Sequence, residues 1–294
     1  MRTRNRKSSK DLIEISLVSD LKHAGASEIF RNIFLRHGFP WKSIVESRDG
    51  LTSKASIYVT SKEKGKLLKN NLLNLRMNNV MVRLKLLKEQ DWKEKWKVEF
   101  HPFALTPKID VVPYWERNTY KKNGRSPLFI KSINAFGTGM HDTTRFMAKC
   151  IAQCQGLYQS FLDIGTGTGI LSMVALKSGA TSADAVDIDR AAIAAARVNM
   201  RVNRLAFRRT IVGDIGNIPL SGKYDFVASN FITHDLINMK RKILRFVKPG
   251  GFWAVSGISR DNFDLFMNAY RVLPLRNLKV IKGMDWVAVL MKRK

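Results

Sequence analysis

The sequence predicts an α/β protein in which a doubly wound sheet, closed by an antiparallel C-terminal hairpin, follows a small α+β module. Three observations carry this expectation. From Ser132 onward, apolar runs of strand length alternate with amphipathic stretches of helix length. The run Phe-Leu-Asp-Ile-Gly-Thr-Gly-Thr-Gly-Ile, residues 161–170, joins an apolar strand to a helix through three glycines at alternate positions. Leu278–Lys282 and Trp286–Met291 are separated by three residues, too few for a parallel crossover, so they pair antiparallel.

The amino-terminal module is read element by element. Leu12–Val18 alternates as a strand does. Residues 24–37 carry Ile29, Ile33 and Phe34 at helical spacing, and Gly38 stops the helix. Ser43–Arg48 and Leu51–Thr60 form a hairpin around Asp49-Gly50, residues that favour the positive φ of a tight turn. Ser61 caps a helix to about Arg76 that carries Leu67, Leu68, Leu72 and Leu73. Val80–Leu87 supplies the last strand. The order β-α-β-β-α-β is that of a ferredoxin-like module over residues 1–88.

Residues 89–130 lack a period and read as a linker. Glu89–Phe100 has Trp92 and Trp96 four apart, as in a connecting helix, and Pro102, Pro107 and Pro113 break the chain beyond it. Ile109–Val112 reads as a short strand and Arg117–Pro127 as a polar loop. Within residues 131–294 strands are expected at Ser160–Ile164, Ala183–Asp187, Arg209–Val212, Asp225–Ser229 and Gly251–Ser256. Helices are expected at Leu171–Ser178, Arg190–Asn203, Asp235–Phe246 and Asp261–Val272, with a turn at Lys248-Pro249-Gly250-Gly251.

Composition bounds the function. An apolar content of 45% over 294 residues suits a globular protein with a sizeable core. No run approaches the ~20 apolar residues of a membrane span. The basic stretch Arg2–Lys10 meets Asp11 and Glu14 rather than an apolar signal core, so a cytoplasmic, monomeric protein without a membrane partner is expected. Cys150 and Cys154 lie one helical turn apart and read as core residues; with five scattered histidines they give no metal-ligand spacing. The net charge of +27 suggests contact with RNA phosphates, or a proteome-wide drift toward Lys and Arg. The charge is spread: 22 basic and 11 acidic residues fall in 1–100, 29 and 13 in 101–294.

The glycine run locates a site. Gly165, Gly167 and Gly169 let the backbone approach a ligand, and the helix from Ile170 presents free amides to it. Asp187, ending the next strand, is placed to accept ribose hydroxyls, and Asp214, after the third, the adenine amino group. Asp189 reads as a helix cap. The third glycine comes one residue early for a dinucleotide fingerprint, and no Gly-Lys-Ser/Thr succeeds it for a P-loop. Asp163 suits an ammonium or sulfonium rather than a pyrophosphate. These features point to S-adenosylmethionine as cofactor.

Phe136-Gly137-Thr138-Gly139-Met140-His141-Asp142-Thr143-Thr144 resembles the F-G-T-G-x-H-x-T-T signature of the PrmA family, lysine methyltransferases of large-subunit ribosomal protein eleven. Asn230 matches that family's asparagine after the fourth strand, and Trp92, Trp96, Phe100, Pro102, Pro113, Trp115 and Trp286 fall as in it. The resemblance implies a class I methyltransferase fold, cofactor contacts at Thr144, Gly165, Asp187 and Asn230, and an amino-terminal module that recognises a ribosomal substrate. Met140 and Asp142 depart from the family's threonine and proline, and Phe231-Ile232-Thr233-His234 from a more aliphatic stretch. Asn230 is expected to orient cofactor or amine, with His141 and His234 as the nearby proton relays. Two other functions remain: an RNA base N-methyltransferase, weakened by the lack of an Asn-Pro-Pro-aromatic run, and a catalytically idle ribosome-assembly factor.

Overall fold

The computed structural model describes residues 12–19, 26–39, 44–49, 52–59, 62–75, 77, 79–87, 100–132, 135–218 and 222–294. The chain divides into two compact units, Met1–Phe100 and His101–Lys294. In the first, β1 (Leu12–Ser19), α1 (Ala26–Arg36), β2 (Ile44–Asp49), β3 (Thr52–Val59), α2 (Lys62–Asn74) and β4 (Met81–Leu87) come in order. The strands form an antiparallel sheet, β2-β3-β1-β4. Alternation in β1 sends Ile13, Ile15 and Leu17 into a core with Ile57, Phe30, Phe34, Leu68 and Leu72. The helix faces differ from the expected stripes. In α1 the buried anchors are Phe30 and Phe34, whereas Ile29 is exposed; in α2, Leu67 and Leu73 face solvent. Each helix needs one narrow stripe on a four-stranded sheet, and the surplus apolar residues fall outside it. The expected connecting helix with Trp92 and Trp96 lies outside the described residues.

The second unit begins earlier than composition suggests. β5 (Phe103–Thr106), β6 (Ile109–Pro113) and β7 (Ser126–Ile130) make a three-stranded sheet inside the stretch read as linker. Pro107 sits in the β5–β6 turn and Pro113 ends β6, so the prolines bound the strands rather than prevent them. Val111, Val112, Leu128 and Ile130 are fully buried.

The main body comprises α3 (Asp142–Gln153), β8 (Ser160–Ile164), α4 (Ile170–Lys177), β9 (Ser182–Asp187), α5 (Arg190–Val202), β10 (Arg209–Val212), β11 (Tyr224–Asn230), α6 (Thr233–Leu244), β12 (Val247–Ser259), α7 (Phe263–Tyr270), β13 (Leu275–Lys282) and β14 (Trp286–Arg293). The sheet runs β10-β9-β8-β11-β12-β14-β13. The first five strands are parallel, and β14 lies antiparallel to both β12 and β13. The expected Lys248–Gly251 turn falls inside β12, where the register with β11 shifts and these four residues stand opposite Asp225 alone. Gly251 permits it, since a Cβ there would lie 3.0 Å from the carbonyl oxygens of Asp225 and Lys248.

Side chains alternate across β12. Trp253 and Val255 join Leu236, Ile243, Phe266 and Tyr270 in one core, and Trp253 Nε1 donates to Ser229 Oγ at 2.9 Å. Helix α3 packs on β12 and β14. Cys150 and Cys154 are buried and free, and burial pushes their thiols up to about 12 and about 11, so both stay neutral. No described helix is long and apolar enough to cross a membrane. Trp253→Ala should cost ~3–5 kcal/mol, read as a fall in the urea midpoint of the second unit's transition.

Candidate active site

Ile164 ends β8 at the carboxyl edge of the sheet, and the chain turns through Gly165, Thr166, Gly167, Thr168 and Gly169 into α4. The three glycines have φ of 72°, 54° and 81°, a region that side chains rarely adopt. The amides of Gly165 and Thr166 donate to the Val186 carbonyl of β9 at 2.8 and 3.1 Å. Gly167 N–H donates to Asp187 Oδ2 at 3.0 Å, while Asp189 N–H donates to Asp187 Oδ1 at 3.0 Å. These two bonds fix the plane of the Asp187 carboxylate at the strand end. Asp189 itself caps α5 through Ala191 N–H.

Asp163 is almost wholly buried behind the loop. Its Oδ2 accepts from Thr166 Oγ1 at 2.9 Å, Ser172 Oγ at 2.7 Å and Ser172 N–H at 3.2 Å, whereas its Oδ1 has no hydrogen-bond partner among the described residues. Burial raises its carboxyl to about 6 against the pull of those bonds, with Asp187 adding to the rise.

The Phe136–Thr144 segment is sewn to this loop. Thr168 N–H donates to the Phe136 carbonyl at 2.9 Å, and Thr168 Oγ1 donates to the Gly137 carbonyl. The Phe136 carbonyl comes so close to Gly167 that a Cβ there would collide with it. Gly139 is wedged among Ile170, Phe103 and Val111, which ties the segment to the small three-stranded sheet. His141 then caps α3, its Nδ1 accepting from Thr143 N–H at 3.3 Å and paired with Thr143 Oγ1 at 2.8 Å. Asn230 Nδ2, at the end of β11, donates to the same Thr143 oxygen at 3.2 Å. The rings of Phe136 and Trp286 each lie 5.5 Å from the His141 ring. Thr144, one residue on, is buried with its Oγ1 lacking a hydrogen-bond partner among the described residues.

Gly165, Gly167, Gly169, Asp163 and Asp187 therefore meet in one hydrogen-bonded loop, with Asn230, Thr143 and His141 in a second short chain. Asp214 and His234 stand apart. Asp214 is exposed in the turn after β10, where its Oδ1 accepts from Gly216 N–H at 2.6 Å, and His234 is exposed in the first turn of α6. Three contributors are missed by sequence reading. Thr143 links the catalytic candidates; Phe231 lays its ring 2.6 Å from where a Gly165 Cβ would be. Asn199 of α5, fully buried, accepts from the amides of Lys131 and Ser132 and donates to the carbonyls of Ser132 and Thr168, all within 3.0 Å. The available signal is an asparagine on the apolar stripe of an alanine-rich helix.

A buried carboxylate oxygen and a buried hydroxyl, both without partners among the described residues, beside a loop that admits no Cβ, fit an adenosyl ligand carrying an ammonium group. Strand order, glycine loop and acid-ended second strand define a class I S-adenosylmethionine-dependent methyltransferase. The model of the ribosomal protein L11 methyltransferase (PrmA) family matches residues 39–294. The chain belongs to that family. A ribosomal protein L11 methyltransferase of Trichlorobacter lovleyi is 33% identical over 214 residues, covering 69% of this chain and 68% of the relative. Another, from Staphylococcus aureus strain COL, is 31% identical over 273 residues, or 81% of this chain and 86% of that one. The match to the Acetivibrio thermocellus relative, 30% identical, covers 69% of this chain and only 64% of the relative. The crystal structure of a ribosomal protein L11 methylase from Lactobacillus delbrueckii subsp. bulgaricus shares the fold, with a TM-score of 0.62 and 23% identity over 66% of this chain and 100% of that one.

The close approach of the two loops makes Gly167 irreplaceable. Gly167→Ala should leave the unit folded, by circular dichroism, yet lower S-adenosylhomocysteine affinity by more than ~10-fold in calorimetry, because the two loops must part. Asp163, at about 6 when folded and 3.8 when unfolded, binds more protons in the folded state between those values. Stability therefore falls as pH rises through that window. Asp163→Asn should gain on the wild type from pH 4 to 6 by up to roughly 3 kcal/mol, measured as a widening difference in Tm. A constant difference would contradict a buried, ionising carboxyl.

Proposed function

We propose that the protein is a protein lysine N-methyltransferase that uses S-adenosylmethionine to modify a large-subunit ribosomal protein, the substrate named for its relatives. The observation that carries this reading is the Asn230–Thr143–His141 chain beside the glycine loop. It supplies polar groups for an amine without the Asn-Pro-Pro-aromatic platform that a planar base requires. The retained cofactor positions argue against an idle assembly factor.

In this reading Asp187 accepts the ribose hydroxyls, and Gly165, Gly167 and Gly169 bring the backbone against the cofactor; Asp214, bonded into its own turn, is left without the adenine contact expected of it. Asp163 and Thr144 supply buried polar groups to the ammonium-bearing end. Bound S-adenosylmethionine supplies a methyl group already activated on a sulfonium. What the chain must provide is a neutral, aligned amine. A lysine has a reference pKa of about 10.4, so the neutral form at pH 7 costs roughly 4–5 kcal/mol. The Phe136, His141 and Trp286 rings offer a low-dielectric wall that disfavours the ammonium, and Asn230 offers a carbonyl to orient the amine. His141, held through Nδ1, keeps its ring fixed against that wall. The amino-terminal unit, whose strand order is that of a ferredoxin-like module, serves substrate recognition, and the enzyme acts as a cytoplasmic monomer.

The direct test incubates the protein and radiolabelled cofactor with undermethylated ribosomal protein and, separately, with stripped ribosomal RNA. Label is expected on lysines of the protein; label only in RNA would overturn the reading. Asp187→Ala should weaken S-adenosylhomocysteine binding by about 100-fold, the worth of two hydrogen bonds to a charged group. Asn230→Ala should lower kcat by about 100-fold while the cofactor still binds.

A further inference from the structure

Between Asp189 and Asp214 the chain carries six arginines, Arg190, Arg197, Arg201, Arg204, Arg208 and Arg209, and neither a lysine nor an acid. Lysine is the commoner cation overall, 28 against 23 arginines, so a general drift toward basic residues would have put lysines here as well. Four of the six are spaced seven, four and three apart along α5 and its end, which sets them on one helical stripe. All four are exposed, and none forms an ion pair with a described residue. The opposite side of α5 is occupied by packing: Ala192, Ile193, Ala196 and Met200 are buried, and Asn199 binds the glycine loop. Nothing in that packing calls for arginine on the outer side.

The stripe spans about 20 Å at the rise of an α-helix. Arg197 Nε donates to Thr210 Oγ1 of β10 at 2.9 Å, which lays the stripe along the edge strand of the sheet. There Arg208 and Arg209 share the single carboxylate of Asp184, at 2.7 and 2.9 Å, so their two charges are half neutralised and their planes are held. Arg204 sits at a left-handed position, φ 57°, in the turn that closes α5, where glycine or asparagine is the usual residue. An arginine stands there against its backbone preference.

We propose that this face docks the phosphodiester backbone of RNA, its guanidinium forks taking phosphate oxygens two at a time. The stripe begins three residues after Asp187, so RNA lying on it starts at the rim of the catalytic edge. The docking of phosphates goes beyond methyl transfer; the choice of RNA over DNA rests on the reading of a ribosomal substrate.

Fluorescence anisotropy of the full chain with labelled single-stranded RNA of about 20 nucleotides, over a salt series, tests this without any methyl transfer. Replacing Arg197, Arg201 and Arg204 together by Glu should weaken binding at least ~10-fold and lower the salt slope by about 2. Replacing the same three by Lys keeps the charge and should cost about threefold, from loss of the paired hydrogen bonds. The Lys variant also keeps the test open if the Glu variant fails to fold. The same charge reversal at Arg276, Lys279 and Lys282 of β13 should change affinity less than about twofold. Equal losses from α5 and β13 would reduce the effect to net charge and overturn the proposal, as would a wild type that does not bind RNA. Loss of binding to polyglutamate or anionic vesicles but not to RNA would overturn it in favour of another partner. Tighter binding to DNA of the same sequence would overturn the choice of RNA alone.

Discussion

The catalytic edge depends on a backbone approach that only glycine permits. The Phe136 carbonyl rests where a Cβ of residue 167 would stand, and from that contact Thr168 bonds back to Phe136 and Gly137 on the far loop. Without it the Phe136–Thr144 segment would have no fixed distance from the glycine loop. His141, Thr143 and Asn230 would then lose their place relative to Asp187 and Asp163. Asn199 reinforces the same junction from behind, joining α5 to the glycine loop at Thr168 and to the Lys131–Ser132 backbone through one side chain. The specificity is achieved by main-chain packing, with side chains locking it.

Two buried carboxylates lie close together beneath this junction, and their settings differ. Asp187 accepts two backbone amides, whereas one oxygen of Asp163 faces no partner. The first arrangement suits a fixed anion that reads neutral hydroxyls. The second leaves a group that favours ionisation only when a cation is near. In the proposed function, the first would face the adenosyl group and the second the ammonium of the same cofactor.

Much of this was legible in the sequence because it rests on short-range rules. Gly165, Gly167 and Gly169 signal a loop by their spacing, Asp187 and Asp189 by their strand-end and cap positions. The alternation of strands and helices, and the hairpin that closes it, follow from element lengths and from the short Gly283–Asp285 turn. What was not legible depends on tertiary partners. Of the β5–β7 sheet only β6 was legible, as the strand at Ile109–Val112; β5 and β7 hide beside prolines because four or five residues are too few to establish a period. Asn199 looks like an ordinary polar residue until the chain brings Ser132 to it, and Thr143, though part of the signature, shows its linking role only when Asn230 reaches it. Ile29 and Leu67 fit a helical stripe but not the narrower face that the sheet leaves open. Asp214 illustrates the converse: it follows the third strand as expected, but its carboxylate is turned onto its own loop.

The placement of β14 between β12 and β13 has a consequence for how the chain is made. During synthesis β13 emerges before the strand that connects it to the sheet, and until then it has no partner in the second unit. It is an eight-residue strand with Leu278 and Val280 on an open edge, the kind of segment that pairs with neighbouring chains on a crowded ribosome. Arg276, Lys279 and Lys282 interrupt it at regular intervals. Charges so placed disfavour edge-to-edge pairing, both before β14 forms and in the finished sheet, where β13 is still the edge.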